Sequence, residues 1–197
     1  MIALQKKSSG IRPIAVGYTL RRIAAKCANS YATKQLAGYF SPIQLGVGTS
    51  GGSEAAVHAT RRFIEAMPSG YVVAKLDFCN AFNRLRGDLM LRSVLSTVPG
   101  IYRFCHLTLQ QPIYPQIRRQ NNPVTGGSAS RRSTGLGSLL FCVSIHPDLL
   151  RLQYELVAGF MNDLTLGGPP DVVAADLDYI SSKQDGTGLR STLPSRK

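Results

Sequence analysis

The sequence predicts an α+β fold, and three observations predict it. Ala56, Thr60, Phe63 and Met67, with Val57 and Ile64, form one helical stripe. Tyr71-Val72-Val73-Ala74-Lys75-Leu76-Asp77-Phe78 is a largely apolar, β-prone run. Two short apolar runs, Leu156 to Met161 and Leu164 to Leu166, flank an Asn162-Asp163 centre, the signature of an antiparallel hairpin.

The elements follow in chain order. Residues 1–50 are basic and broken by Gly10, Pro13, Gly17 and Pro42, with one helix around Leu20–Leu36. The glycine-rich run from Gly46 to Gly52 is a loop. Ser53 then has the chemistry of an N-cap, with Glu54 in the favourable first turn. Pro68-Ser69-Gly70 stops that helix. The run at 71–78 has the near-continuous apolarity of a central buried strand. Asp88 is the expected N-cap of a helix whose inner face is Leu91, Val94, Leu95 and Val98. Residues 110–134 have no sustained period and are rich in Pro, Gly, Gln, Asn and Ser, so they read as loop. Helix resumes through Leu139, Leu140 and Val143 toward Leu149, and the polar tail from Ser181 to Lys197 is expected to be disordered.

Composition narrows the function classes. The 197 residues are 44% hydrophobic and 17% charged, which suits a globular chain with a real core. No apolar run is long enough to span a bilayer, and the first residues lack the apolar stretch of a secretory signal. Cys27, Cys79, Cys105 and Cys142 lie far apart with no C-x-x-C pair, so an intracellular setting, cytoplasm or nucleus, is expected. The net charge is +12, and no acid precedes Glu54 although seven Lys and Arg residues do. A one-signed region of this kind attracts polyanions, nucleic acid above all; a basic solvated surface is the plain alternative.

Several tempting motifs carry little. Gly46, Gly48 and Gly51 match G-x-G-x-x-G, but Ser41-Pro42-Ile43-Gln44 is a poor strand, and a dinucleotide fold would need a parallel sheet. His58, His106 and His146 show no ligand spacing, and Asp171, Asp176 and Asp178 read as a solvated acidic face. Asp77 and Asp163 are the informative pair. Asp77 ends a strand where a carboxylate is costly unless compensated, and Asp163 sits at a hairpin tip. In one sheet they would converge at one edge, as a two-cation site requires. Asp77 could instead cap the next helix, and Asp163 could simply form the turn.

At these residues the chain resembles a known family. Lys75-Leu76-Asp77-Phe78-Cys79-Asn80-Ala81-Phe82-Asn83 is similar to motif A, and Phe160-Met161-Asn162-Asp163 to motif C, of reverse transcriptases (RNA-directed DNA polymerases) of non-LTR retrotransposon type. Lys6-Lys7 with Gly10-Ile11-Arg12-Pro13-Ile14 resembles the basic fingers segment, and Gln44-Leu45-Gly46 through Ser53 the glycine-rich stretch before motif A. The resemblance covers about residues 5–109 and 135–180. It implies a partial right-hand polymerase, with fingers in 1–50 and an antiparallel palm backed by helices in 51–180. It further implies Mg²⁺ on Asp77 and Asp163, a sugar gate at Phe82, triphosphate contacts from Lys7 and Arg12, and an RNA template, a DNA primer and dNTP as partners. It leaves no stretch of this sequence for a primer grip or thumb.

Two departures bear on activity. Asn162 stands where motif C has its principal metal-binding Asp, and a neutral amide removes a full negative charge from the site. Such a loss costs on the order of 4–5 kcal/mol of barrier. The second departure is motif B, whose Pro-Gln-Gly-Asp-Pro-Leu turn is replaced by Ala129-Ser130-Arg131-Arg132-Ser133-Thr134. Those six residues can be written GCC-TCA-AGG-CGA-TCC-ACT, which read one base later encodes the missing motif, as a compensated frameshift over 110–134 would leave it. The expected function is therefore a reverse transcriptase remnant that is inactive, with a non-catalytic basic nucleic-acid-binding protein as the alternative.

Overall fold

The interior is organised around one helix that is apolar on every side. The computed structural model describes residues 2–5, 11–14, 19–79, 81–110 and 135–191. The elements are β1 (Ile2–Gln5), β2 (Ile11–Ile14), α1 (Thr19–Phe40), α2 (Gly52–Ala66), β3 (Val72–Asp77), α3 (Ala81–Arg84), α4 (Gly87–Thr97), α5 (Tyr102–Gln110), α6 (Gly137–Leu149), β4 (Leu156–Phe160), β5 (Asp163–Gly168), α7 (Pro170–Ser182) and α8 (Gln184–Thr187). Leu139, Leu140, Phe141, Cys142, Val143 and Ile145 of α6 are all buried, as an all-round apolar helix must be. Ser144 tolerates burial because its hydroxyl donates to the Leu140 carbonyl at 2.7 Å. Around α6 pack α1, through Ala25, Ala32, Leu36 and Phe40, and α4, through Met90 and Val94.

One face of a three-stranded antiparallel sheet closes this core, in the order β3–β5–β4. Leu76, Leu164 and Leu166 point inward and are buried. Strand alternation then turns Lys75, Asp77, Asp163 and Thr165 to the opposite face. A separate antiparallel hairpin joins β1 to β2, with Arg12 opposite Leu4 in the backbone register. No helix among the described residues is long and apolar enough to cross a membrane.

The α+β expectation holds, and several local ones are corrected. The run at 71–78 is an edge strand, not a central one, and of β3 only Leu76 is fully buried. Helix α2 starts at Gly52, with Gly51 in the left-handed region (φ 64) as its cap and no side-chain cap from Ser53. The reason is contact: a Cβ on Gly52 would run into the Leu45 carbonyl oxygen, so the helix must begin on a residue without one. The apolar stripe of α2 is only partly covered, with Val57 and Ile64 about half exposed.

Arg86, not Asp88, precedes α4 as its N-cap. Asp88 lies within the first turn, gripped by the Arg86 guanidinium at 3.0 and 2.8 Å and by Arg92 at 2.6 Å. Led by the Arg86 hydrogen bond, these contacts lower its carboxyl to about 2. Leu95 faces out at 54% exposure, and Met90 takes the inner place expected of it. The expected disorder of the tail is corrected for 181–191: Ser191 bridges to Phe78, and Cys79 N–H donates to the Arg190 carbonyl at 2.7 Å. Leu189 is buried, so an apolar anchor holds the segment down. The stretch 111–134, with the altered motif B, lies outside the described residues, as do 192–197.

His146 is the polar exception in the core, 1% exposed between the rings of Tyr39 (4.5 Å) and Phe40 (5.6 Å). Burial pushes its imidazole below the ordinary 6.5, with a hydrogen bond to the Tyr39 backbone pulling weakly the other way. Keeping this ring neutral stabilises the fold fully above 6.5, and that contribution declines as pH falls through and below it. The thermal midpoint is thus expected to drop between about pH 7.5 and about pH 5.5. His146→Leu should flatten the profile, and an equally steep one would contradict the assignment. Leu189→Ala should lower unfolding free energy by about 2–5 kcal/mol in urea titrations, where a disordered tail would give no change.

Candidate functional site

Asp77 is the last residue of β3 and Asp163 the first of β5, and the antiparallel register pairs them directly. Directly opposed residues on one face bring their Cβ atoms to about 4.5–5.5 Å. The two carboxylates therefore share one edge, as the sequence expectation required. Like charges so placed repel, and two neighbours offset this. The Asn162 amide Nδ2–H donates to Asp77 Oδ1 at 2.6 Å. Lys75 Nζ lies 3.8 Å from Asp163 Oδ1, a solvent-exposed pair of small energetic worth.

The connection between β4 and β5 is one residue earlier than the sequence suggested. Phe160 and Asp163 pair across the hairpin, so Met161 and Asn162 are its tip and Asp163 already belongs to the strand. Met161 takes a left-handed backbone, φ 57, where hairpins favour Gly, Asn or Asp. Such a conformation costs an L side chain roughly 1–2 kcal/mol and needs surroundings that hold it. The loop after α1 supplies them. Gln44, fully buried, accepts from Met161 N–H at 2.8 Å and from Gly46 N–H at 3.2 Å, and donates to the Met161 carbonyl at 3.2 Å. Backbone bonds from Leu45 to Gly159 (2.7 Å) and from Gly159 to Ile43 (2.8 Å) flank it.

Beside this edge a cleft of about 370 Å³ runs between α2 and the outer sheet face. Asp163, Lys75, Thr165 and Phe160 form its floor, with Ser53, Thr60 and Arg61 along the helix side. Farther along, Phe63 lies so close to Gly167 that a Cβ there would meet the ring at 2.5 Å.

The chemistry of the donor set decides what cation it suits. Among the described residues no three His, Cys, Asp or Glu side chains are grouped to hold a metal ion. Two carboxylates and one amide are one charge short of a two-cation centre. They suit at most one hard divalent ion, and only if Asn162 turns its amide oxygen toward it in place of the Nδ2–H that now meets Asp77.

The remaining expected site residues are placed as follows. Phe82, on α3, is 6% exposed and packs its ring against Phe141 at 5.3 Å, so in this structure it serves the core. The backbone of Arg12 lies in the β1–β2 hairpin, and Lys7 lies outside the described residues. Asp176 corrects the reading of a solvated acidic face: it is buried and accepts from Gln153 N–H at 3.0 and 3.1 Å. The Gly46–Gly51 motif abuts an antiparallel sheet, against a dinucleotide fold. Sequence reasoning missed Gln44 and Lys75; only the alternation that places Lys75 two residues before Asp77 could have signalled the second.

No protein-family description matches the chain, and no curated protein does. Among solved structures, the chain is similar to an apo telomerase from Candida tropicalis truncated from its C-terminal domain, with a TM-score of 0.55 at 12% identity. The similarity covers 91% of this chain and 41% of that one, so the chain spans about two-fifths of the telomerase's length. The chain therefore has a partial polymerase fold.

Asn162→Asp puts a third carboxylate beside Asp77 and Asp163. Without metal its thermal midpoint should fall below that of the unchanged chain. With Mn²⁺ at about a hundred times the dissociation constant, its unfolding free energy should rise by about 2.7 kcal/mol and the midpoint with it. The unchanged chain should show no comparable Mn²⁺ response in the same melts.

Proposed function

We propose that this chain is the palm portion, with part of the fingers in 1–50, of a reverse transcriptase of non-LTR retrotransposon type that no longer catalyses templated DNA synthesis. The direct pairing of Asp77 with Asp163 carries this reading, and the polymerase-like fold supports it. Mg²⁺ would be held by Asp77 and Asp163, where it would neutralise phosphate charge and activate a primer hydroxyl. The chain's own residues account for the loss. Asn162 contributes no charge, and its amide proton occupies the Asp77 oxygen that a cation would need. Lys75 similarly stands against Asp163. Template RNA, primer DNA and dNTP are the partners this reading assigns. Lys7 and Arg12 would contact the triphosphate, and Phe82 would be the gate toward its sugar.

A second reading keeps the partners without the chemistry. Arg22, Lys26 and Lys34 are exposed along α1, in the acid-free part of the chain before Glu54. A surface of this sign binds nucleic acid without regard to sequence, with affinity that falls steeply with salt.

Primer extension on a primed RNA template with Mg²⁺ separates the readings. The unchanged chain should give no extension. A variant carrying Asn162→Asp and Pro-Gln-Gly-Asp-Pro-Leu at 129–134 should regain it by several orders of magnitude over background. Robust extension by the unchanged chain would refute the inactivity. Salt-sensitive binding by both, with extension by neither, would favour the binding protein.

A further inference from the structure

The hairpin that presents Asn162 and Asp163 does not hold its own shape. Its first tip residue, Met161, is neither Gly, Asn nor Asp, yet it has φ 57. Hydrogen bonds to both its N–H and its carbonyl come from a residue 117 positions earlier, Gln44. Gln44 is 0% exposed, and all three of its bonds are to backbone groups. The approach is close: a Cβ on Gly46 would sit 2.5 Å from Met161 N, which excludes a side chain there, and one on Gly159 would be tight, 3.2 Å from Gln44 Nε2.

We infer that Gln44 is the positioning residue of the carboxylate edge: its amide sets the backbone at Met161, and through it the reach of Asn162 to Asp77 and the register of Asp163 opposite Asp77. Carboxamide chemistry is what this place requires. One oxygen must accept from Met161 N–H while a neighbouring proton meets the Met161 carbonyl, and glutamine presents both on one planar group. Leucine of similar bulk presents neither and would leave the partly buried N–H and carbonyl of Met161 without this partner. An ionised glutamate keeps the acceptor but turns a lone pair toward the carbonyl; protonated, it regains the donor. The geometry stands on hydrogen bonds alone. Its bearing on cation binding rests on the proposed function above.

The test uses the full chain and two readouts. In ¹⁵N-labelled protein, Gln44→Leu should shift the Asn162 side-chain amide resonances toward those of a solvent-exposed amide, while signals from the α6 core stay in place. Gln44→Glu should show the same displacement when its carboxyl is ionised and return to the native position as pH is lowered and it protonates. A passive filler of the loop would not produce that return. In the Asn162→Asp chain, Mn²⁺ binding followed by electron paramagnetic resonance should weaken at least about tenfold on adding Gln44→Leu, as loss of an orienting partner does. Unchanged Asn162 resonances in Gln44→Leu would overturn the inference. Should Gln44→Leu not fold, the pH return of Gln44→Glu decides, and its absence overturns the inference equally. Failure of Asn162→Asp to bind Mn²⁺ with Gln44 intact would count against the metal-site ancestry and leave the positioning role to the amide resonances.

Discussion

The register of β3 against β5 is the constraint on which the rest of the structure depends. It sets two acidic residues directly opposite each other, an arrangement that a sheet with no other purpose would avoid. What holds it is on the far face, where Leu76, Leu164 and Leu166 close over α6. A slip of one residue would turn those leucines to solvent and bring Asp77 or Asp163 into the core. The core thus enforces the pairing of the carboxylates, although it contributes no atom to their edge.

The edge itself is assembled from three distant pieces of chain. Lys75 and Asp77 come from one strand, Asn162 and Asp163 from a hairpin, and the backbone of that hairpin is held by the loop after α1. Close backbone approach explains much of the glycine content there. Gly46 faces Met161 and Gly52 faces Leu45 at distances that a side chain would not permit, and Gly159 faces Gln44 in tight contact. Of the three glycines in the phosphate-binding-like pattern, Gly46 packs against the hairpin, while Gly48 and Gly51 take left-handed backbone in the loop before α2.

How much of this was legible in the sequence depends on whether the signal was local. The hairpin was legible because its turn and flanking strands lie within a dozen residues, and the convergence of Asp77 with Asp163 followed once both strands shared a sheet. Strand β3 was misjudged because a short apolar run looks alike at a centre or an edge; what separates them is the neighbour on the other side, which the run does not encode. Asp88 and Ser53 had the right chemistry for caps, but Arg86 and Arg92 claimed the first, and the glycine contact with Leu45 moved the helix start past the second. The segment up to Ser191 is held by the buried Leu189 and by backbone bonds to Cys79 and Arg86, none of which its polar composition signals. Gln44 left no local trace because it acts on a backbone more than a hundred positions away.

Under the proposed function, Asn162 exchanges one compensation for another. A cluster of three carboxylates at a sheet edge is self-repelling and is offset by bound cations, so its stability is linked to their supply. With Asn162 as the second residue of the hairpin tip, the edge holds two carboxylates and a proton donor reaches Asp77 at 2.6 Å. The Lys75 ammonium, though exposed, offers Asp163 a weaker form of the same relief. The charge of the edge is thus offset in part by protein groups. Under the proposed function, the chemistry that needs a cation would be lost by the same step, because the donor to Asp77 occupies an oxygen that a cation would take. The architecture would survive that loss, since the leucine core, the register and the Gln44 contacts involve no atom that the reaction would use.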